Sequence, residues 1–284
     1  MKTLTVMTPT YNRAELLKDA YASLAAQSCD DFVWMIVDDG STDDTERVVE
    51  GFIADGKVKI EYIKKENGGK HTAVNLAINR VETELIALCL DSDDAFTDSA
   101  VEEIISVYNK TEKAYNGYVF LREGRVDHID PDLEVMSWRQ AIVEDRFWGE
   151  TVIVLKKEYI KQFAFPVFEG EKLCTEAIVW LQMTDPFYWY HNPVCTGEYM
   201  TDGYSKNIWK TFAASARSHM LYNDIRLSLW KSFPKRCKFA AYYDGFALFA
   251  GERHFIRRCS SKGFAAAALP FGAVFELLLK LKNR

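Results

Sequence analysis

Short apolar runs alternate with amphipathic stretches through the first hundred residues. Residues 4–8 have the length and composition of a strand. Across 14–26 the apolar residues Leu16, Leu17, Ala20 and Leu24 fall on one helical face. Strands are then predicted at 32–37 and 58–63, with helices at 45–54 and about 71–79. Residues 85–90 are apolar almost throughout, which suits a central strand covered on both faces. This βαβαβαβ order predicts an α/β fold: a mostly parallel, Rossmann-like central sheet flanked by helices, with right-handed crossovers. After Tyr108 the pattern loosens. Further strands are expected at 116–121, 151–155 and 187–190, and a helix at 174–183. From about Lys206 onward helices dominate, so an α/β domain over 1–205 and a helical, basic C-terminal region over 206–284 are expected.

The polar segments after the first four strands read TPTYNR, VDDGSTDDT, KKENGGKH and LDSDD. In an open parallel sheet these loops converge at the carboxyl ends of the strands, where ligands bind.

A chain of 284 residues, 48% hydrophobic and 27% charged, can bury a large core and is not disordered throughout. Charge is unevenly spread. Over 206–284 fifteen Lys and Arg face four Asp and Glu, a surplus of +11, against a whole-chain charge of −6; the first 205 residues therefore carry −17. The basic part is expected to face anionic lipid or an anionic acceptor, or to be a solvated helical surface. No nucleic-acid partner is expected. None of the six cysteines forms a CxxC pair, which argues against zinc and disulfide frameworks; Cys89 and Cys174 lie in apolar runs as buried thiols. The N-terminal apolar run is too short for a signal peptide, and a reducing cytoplasm is the expected setting.

The DSDD stretch follows an apolar strand directly. Its carboxylates suit Mg²⁺ or Mn²⁺, which keep phosphate oxygens and waters as further ligands and stabilise charge on a departing diphosphate. The alternative is structural: Asp94 or Asp98 capping a helix that contains Val101 to Val107.

TPTYNR, VDDGSTDDT, ENGGK with a following AxNxAI, and LDSDD, in this order, resemble the inverting glycosyltransferases of family 2, which have the GT-A fold. The resemblance is close over about residues 3–110 and extends more weakly to about 208. It implies that Thr8, Pro9, Thr10 and Tyr11 line a nucleotide base pocket, Tyr11 stacking on the base or packing at a helix start. It implies that Asp39 accepts a base N–H, typically from uracil. Asn67, Gly68, Gly69 and Lys70 would approach the phosphates, although relatives often carry another residue at 70. Asp91 and Ser92 would bind ribose or sugar hydroxyls, and Asp93 and Asp94 would hold the metal, with Asp94 acting as ligand or as loop support. Asp43 and Asp44 read as helix caps. The implied donor is a UDP-sugar, and the implied acceptor a glycan or a lipid-linked glycan of cell-surface polysaccharide.

Inversion requires a carboxylate that takes the acceptor's proton. The family's E-D pair corresponds to a place in FPVFEGEKLCTEAIVWLQM where Glu176 stands for the usual Asp, with Thr175 before it; Glu169 and Glu171 compete for the role. The stretch EYMTDGYSKN resembles a loop that closes over the diphosphate, with Gly203 as hinge and Ser205 and Lys206 on phosphate. At the C-terminus, apolar residues interrupted by Pro270, Gly272 and Glu276 make a poor membrane span, but Phe275, Leu277, Leu278 and Leu279 beside Lys280 and Lys282 fit an interfacial helix. A peripheral position at the inner face of the membrane follows; packing on protein is the alternative. Two other functions stay open: a nucleotidyltransferase, against which the absence of a Gly-rich basic first loop counts, and a sugar-nucleotide-binding or assembly protein without turnover.

Overall fold

The structure, a computed structural model, describes residues 2–88, 91–197 and 207–283. Cys89, Gly203, Ser205 and Lys206 lie outside the described residues. The chain forms two compact units, Met1–Ala164 with Met183–Met200, and Phe165–Gln182 with Thr201–Arg284.

In the first unit β1 (Leu4–Thr10), α1 (Leu16–Ala25), β2 (Phe32–Asp38), α2 (Thr45–Asp55), β3 (Ile60–Lys64), α3 (Lys70–Arg80) and β4 (Leu85–Leu88) alternate as expected. They are followed by β5 (Asp94–Phe96), α4 (Ala100–Lys110), β6 (Gly117–Ile129), β7 (Val135–Met136), α5 (Trp138–Val143), β8 (Phe147–Lys156), α6 (Lys157–Ile160) and β9 (Phe187–Gly197). Among the described residues the sheet order is β3-β2-β1-β4-β8-β6-β9-β5, with β7 beside β9. The first four strands are parallel. The other half is mixed: β8 runs antiparallel to β4 and β6, β6 is parallel to β9, and β5 and β7 are antiparallel to β9. The expected mostly parallel sheet therefore holds only for its first half. Between β6 and β8 lie only β7 and the short α5, too little for the helical crossover that a parallel pair needs.

β1, β2 and β4 are buried along their whole length, which their continuous hydrophobicity anticipated. Leu17, Ala20 and Leu24 of α1 close one face over Leu4, Val6, Trp34 and Ile36. On the same side Tyr21 stacks on Phe52 with ring centroids 4.1 Å apart. β9 runs well past residue 190 because it is an interior strand, paired with β6 on one side and β5 on the other.

The second unit contains α7 (Ala177–Trp180), α8 (Ile208–Ala214), α9 (Ala216–Leu229), α10 (Phe233–Phe249), α11 (Phe255–Arg258) and α12 (Lys262–Lys282). The helix expected over 174–183 shrinks to the single turn of α7. The segment Phe165–Gln182 groups with the C-terminal helices rather than with the sheet, so the two units are not separated by one cut after residue 205. Glu171 is one reason: its carboxylate accepts the backbone N–H of Arg217 at 2.7 Å and of Ser218 at 3.0 Å, closing the first turn of α9.

Candidate functional site

The loops after β1, β2 and β3 interlock through their polar side chains and backbone. Asn12 takes a positive φ of 53°, and its Oδ1 accepts the N–H of Thr42 at 2.8 Å and of Asp43 at 3.3 Å. Its own N–H donates to Ser41 Oγ at 2.8 Å, so the first loop is stapled to the second. Asp38 is fully buried; it accepts the N–H of Ser41 at 2.7 Å and the hydroxyl of Tyr62 at 2.6 Å. Burial first, then the Asp38 carboxylate, push the Tyr62 phenol far up, so it stays a donor. Gly40, at φ 81°, brings the second loop against the third: a Cβ there would lie 2.9 Å from Asn67 N and 3.0 Å from Lys65 O.

Asp39 is the centre of this arrangement. It is 3% exposed. Its Oδ1 accepts Gly68 N–H at 2.9 Å and Lys65 Nζ at 2.5 Å, and its Oδ2 accepts Gly69 N–H at 2.6 Å. Lys65 also reaches Glu66 O and Thr72 Oγ1. A carboxylate offers about four lone-pair sites, so one acceptor position on Oδ2 is not taken up among the described residues. Lys65 was not singled out from the sequence, and only its place just before ENGG could have pointed to it.

Lys70, the first residue of α3, places Nζ 2.7 Å from Asp91 Oδ1, joining the third loop to the DSDD segment. Asp94 is not a helix cap. It lies in β5, opposite Gly197 of β9, and its buried carboxylate is ion-paired to Arg122 of β6. The cap of α4 is Ser99, so Asp98 does not cap it either. Arg122 also contacts Glu150 at 2.5 Å. Arg122 escaped the sequence reading because no local signal ties a β6 arginine to a residue 28 positions earlier. Asp93 is half-buried, Ser92 is buried, and Asp93 and Asp94 line a cleft of about 460 Å³ with Leu16, Asp19, Glu123 and Thr196.

The first-loop residues divide. Tyr11 is 47% exposed. Thr8 is fully buried and its Oγ1 accepts Trp34 Nε1–H at 2.9 Å, so that hydroxyl supports the core and does not face a ligand. Pro9 is buried in β1. Thr10 Oγ1, Asn67 Oδ1 and His71 Nδ1 are buried and have no hydrogen-bond partner among the described residues, which a bound polar ligand would supply. Burial, opposed by Asp39 and reinforced by Lys65, lowers the His71 pKa and holds the ring neutral. Asp43 hydrogen-bonds Thr45 N–H and Ala14 N–H; these bonds outweigh burial, the largest single influence, and hold its carboxyl below the usual range.

In the second unit Glu176 is half-buried at the start of α7. Glu171 has both oxygens engaged by α9. Glu169 is exposed.

Among the described residues no group of three or more His, Cys, Asp or Glu could hold a metal ion. The donor chemistry still fits Mg²⁺ or Mn²⁺, which take few protein ligands and fill the rest of their shell from phosphate and water. Asp93 is the better donor, because Asp94 is already answered by Arg122.

The family model for glycosyl transferase family 2 matches residues 5–164, more than half of the chain. The chain belongs to that family. This glycosyltransferase is 26% identical over 269 residues to the GalNAc(5)-diNAcBac-PP-undecaprenol beta-1,3-glucosyltransferase of Campylobacter jejuni, covering 86% of this chain and 83% of the relative. It is 25% identical over 238 residues to the putative teichuronic acid biosynthesis glycosyltransferase TuaG of Bacillus subtilis, covering 81% and 91%. Among solved structures, S. aureus TarS 1-349 in complex with UDP matches with a TM-score of 0.60 at 16% identity, covering 99% of this chain and 90% of that one. The mannosyltransferase PcManGT of Pyrobaculum calidifontis, in complex with GDP-Man and Mn²⁺, matches with a TM-score of 0.59 at 19% identity, covering 99% and 86%. At these identities the likeness bears on the fold, which is GT-A.

Proposed function

We propose that this family 2 glycosyltransferase moves a hexosyl or N-acetylhexosaminyl group from a UDP-sugar, with inversion, to a hydroxyl of a glycan or lipid-linked acceptor in cell-surface polysaccharide synthesis. The observation that carries the reading is the interlock of the strand-end loops: Asp39 clamps the Asn67–Gly69 turn, and Lys70 bridges to Asp91. The free acceptor position on Asp39 Oδ2 suits the ring N–H of uracil, and Tyr11 offers its ring to the base. Thr10, Asn67 and His71 each keep a buried polar atom for a donor group.

Lys70 offers positive charge to the diphosphate, and Ser205 and Lys206 are assigned to the same phosphates from the sequence pattern. Asp91 and Ser92 would take ribose or sugar hydroxyls. Mn²⁺ or Mg²⁺, held by Asp93 with Asp94 in support, would supply charge stabilisation for the departing diphosphate. Glu176 accepts the acceptor's hydroxyl proton while the acceptor oxygen bonds to the anomeric carbon. The bond from that carbon to the diphosphate breaks with its electron pair, and UDP leaves. An enzyme using a lipid-linked acceptor would work on the cytoplasmic face of a membrane.

The test is incubation with Mn²⁺ and a panel of sugar nucleotides. Release of UDP supports the reading. Pyrophosphate release would mean nucleotidyl transfer, and binding without turnover would mean an assembly protein. A Glu176→Gln variant that transfers sugar at the wild-type rate would remove Glu176 from the mechanism.

A further inference from the structure

α12 wears its hydrophobic side outward. Ala265, Ala268, Gly272 and Leu279 are buried, and the Phe275 ring packs on those of Tyr242 and Phe246 of α10, with centroids 4.8 and 5.1 Å away. The two helices touch at backbone level. A Cβ on Gly272 would collide with Asp244 Cβ, and one on Gly245 would lie 2.9 Å from Gly272 O. This contact turns the Gly272 side of α12 toward α10, so the opposite side chains face out.

Those side chains are Phe271 (69% exposed), Val274 (58%), Leu277 (55%), Leu278 (41%) and Leu281 (54%). Their spacing of three and four residues makes one stripe. Phe233, 69% exposed at the start of α10, extends it through its contact with Phe264 at 5.7 Å. Between Lys262 and Lys280 the sole charged residue is Glu276, whose side chain is 18% exposed and paired to Lys280. The stretch 263–279 is about 25 Å long at ~1.5 Å per residue. Contiguous apolar surface of this kind marks an interaction site on a soluble domain.

Charge says what covers it. Lys262 stands exposed at one end of the stripe and Lys280 and Lys282 at the other; Lys231 is exposed beside Phe233, and Arg253 and Arg257 are exposed next to and on α11. Over 206–284 the excess of basic residues is +11. An apolar strip rimmed by cations is what an anionic bilayer surface accepts: side chains enter the acyl boundary while Lys and Arg meet the headgroups. α12 is long and apolar enough to cross a membrane by composition. The glycine contact instead ties it along α10, where Asp244 is buried against Gly272.

We propose that α12, with Phe233, docks this protein in the plane of an anionic membrane surface, basic rim on the headgroups and Phe271, Val274, Leu278 and Leu281 below them. Docking does not depend on the sugar-transfer reading.

Vesicle flotation of the full chain tests it, with phosphatidylcholine alone and with added phosphatidylglycerol. The wild type should float with the anionic vesicles, weaken at least about tenfold when the anionic lipid is removed, and be released by high salt. The variant Phe271→Asp/Leu278→Asp should stay in solution with an unchanged melting curve and unchanged UDP release from a water-soluble donor, since both residues point away from the fold. Equal flotation of wild type and variant would overturn the proposal. So would failure of the wild type to float, or retention through salt and alkaline carbonate, which means a spanning helix. A lipid-free dimer that the same variant dissolves would assign the face to a second copy and overturn it too.

Discussion

Replacing Asp244 by asparagine should stabilise the C-terminal helical unit, and by an amount that grows with pH. Asp244 lies on α10 fully buried, and neither carboxylate oxygen has a hydrogen-bond partner among the described residues. Burial pushes its pKa from 3.8 up to about 7. Below about pH 4 the carboxyl is protonated in both the folded and the unfolded chain and costs nothing. As pH rises from 3.8 towards 7 the unfolded chain gives up this proton while the folded one keeps it, so stability falls; above 7 the penalty levels off. At 1.36 kcal/mol per unit, the penalty is about 1.5 kcal/mol at pH 5 and about 4 kcal/mol at pH 8.5. Asparagine has nearly the same shape and resembles the protonated acid in its unmet hydrogen bonds, so it removes only the charge term. The gain from Asp244→Asn should therefore be larger at pH 8.5 by about 2.5 kcal/mol, or roughly 1–2 M in urea midpoint. Urea unfolding of both proteins at the two pH values, read by hydrogen exchange in α10 and α12 peptides, measures this unit separately. Every other titrating group is common to the two proteins and cancels in the comparison. A stability difference that is the same at pH 5 and pH 8.5, or a loss at both, would refute the reasoning.

Arg122→Ala leaves Asp94 buried and unpaired and should lower stability by about 3–5 kcal/mol, with the Arg122→Ala/Asp94→Asn double variant recovering part of it; denaturant midpoints check this. Asp39→Ala releases two backbone N–H groups and Lys65 from one carboxylate, and calorimetric titration should find UDP bound at least about tenfold more weakly, since hydrogen bonds to charged groups contribute ~1.5–3 kcal/mol each. Glu171→Ala should destabilise the start of α9 by about 1–2 kcal/mol and leave the rate of sugar transfer unchanged. Glu176→Gln should lower kcat by about 10²–10⁴-fold with the donor KM little altered, so steady-state kinetics on the two variants separate the capping glutamate from the base.

Much of the fold and part of the site could be read from the chain alone, because the signals are local. A strand buried on both faces needs continuous apolar residues, so β1, β2 and β4 are visible as such. The chain turns at the ends of those strands, and turns demand Gly, Asn and Asp; hence TPTYNR, VDDGSTDDT, ENGGK and LDSDD mark the loops that meet at one edge of the sheet, and their order is that of family 2. What tertiary structure alone decided are the pairings between distant positions. Two residues of like type, Asp93 and Asp94, differ because Arg122 reaches one of them; Asp39 becomes a loop clamp because Gly40 lets the third loop come close; Thr8 turns inward because Trp34 lies beside it. The tail shows the same division. Its composition announces an apolar helix between basic residues, but which face is left to the outside is settled by Gly245 and Gly272, where the absence of two Cβ atoms lets α10 and α12 meet. Side-chain chemistry is written residue by residue, whereas its partner depends on where the backbone brings the next element, and no local pattern encodes that distance.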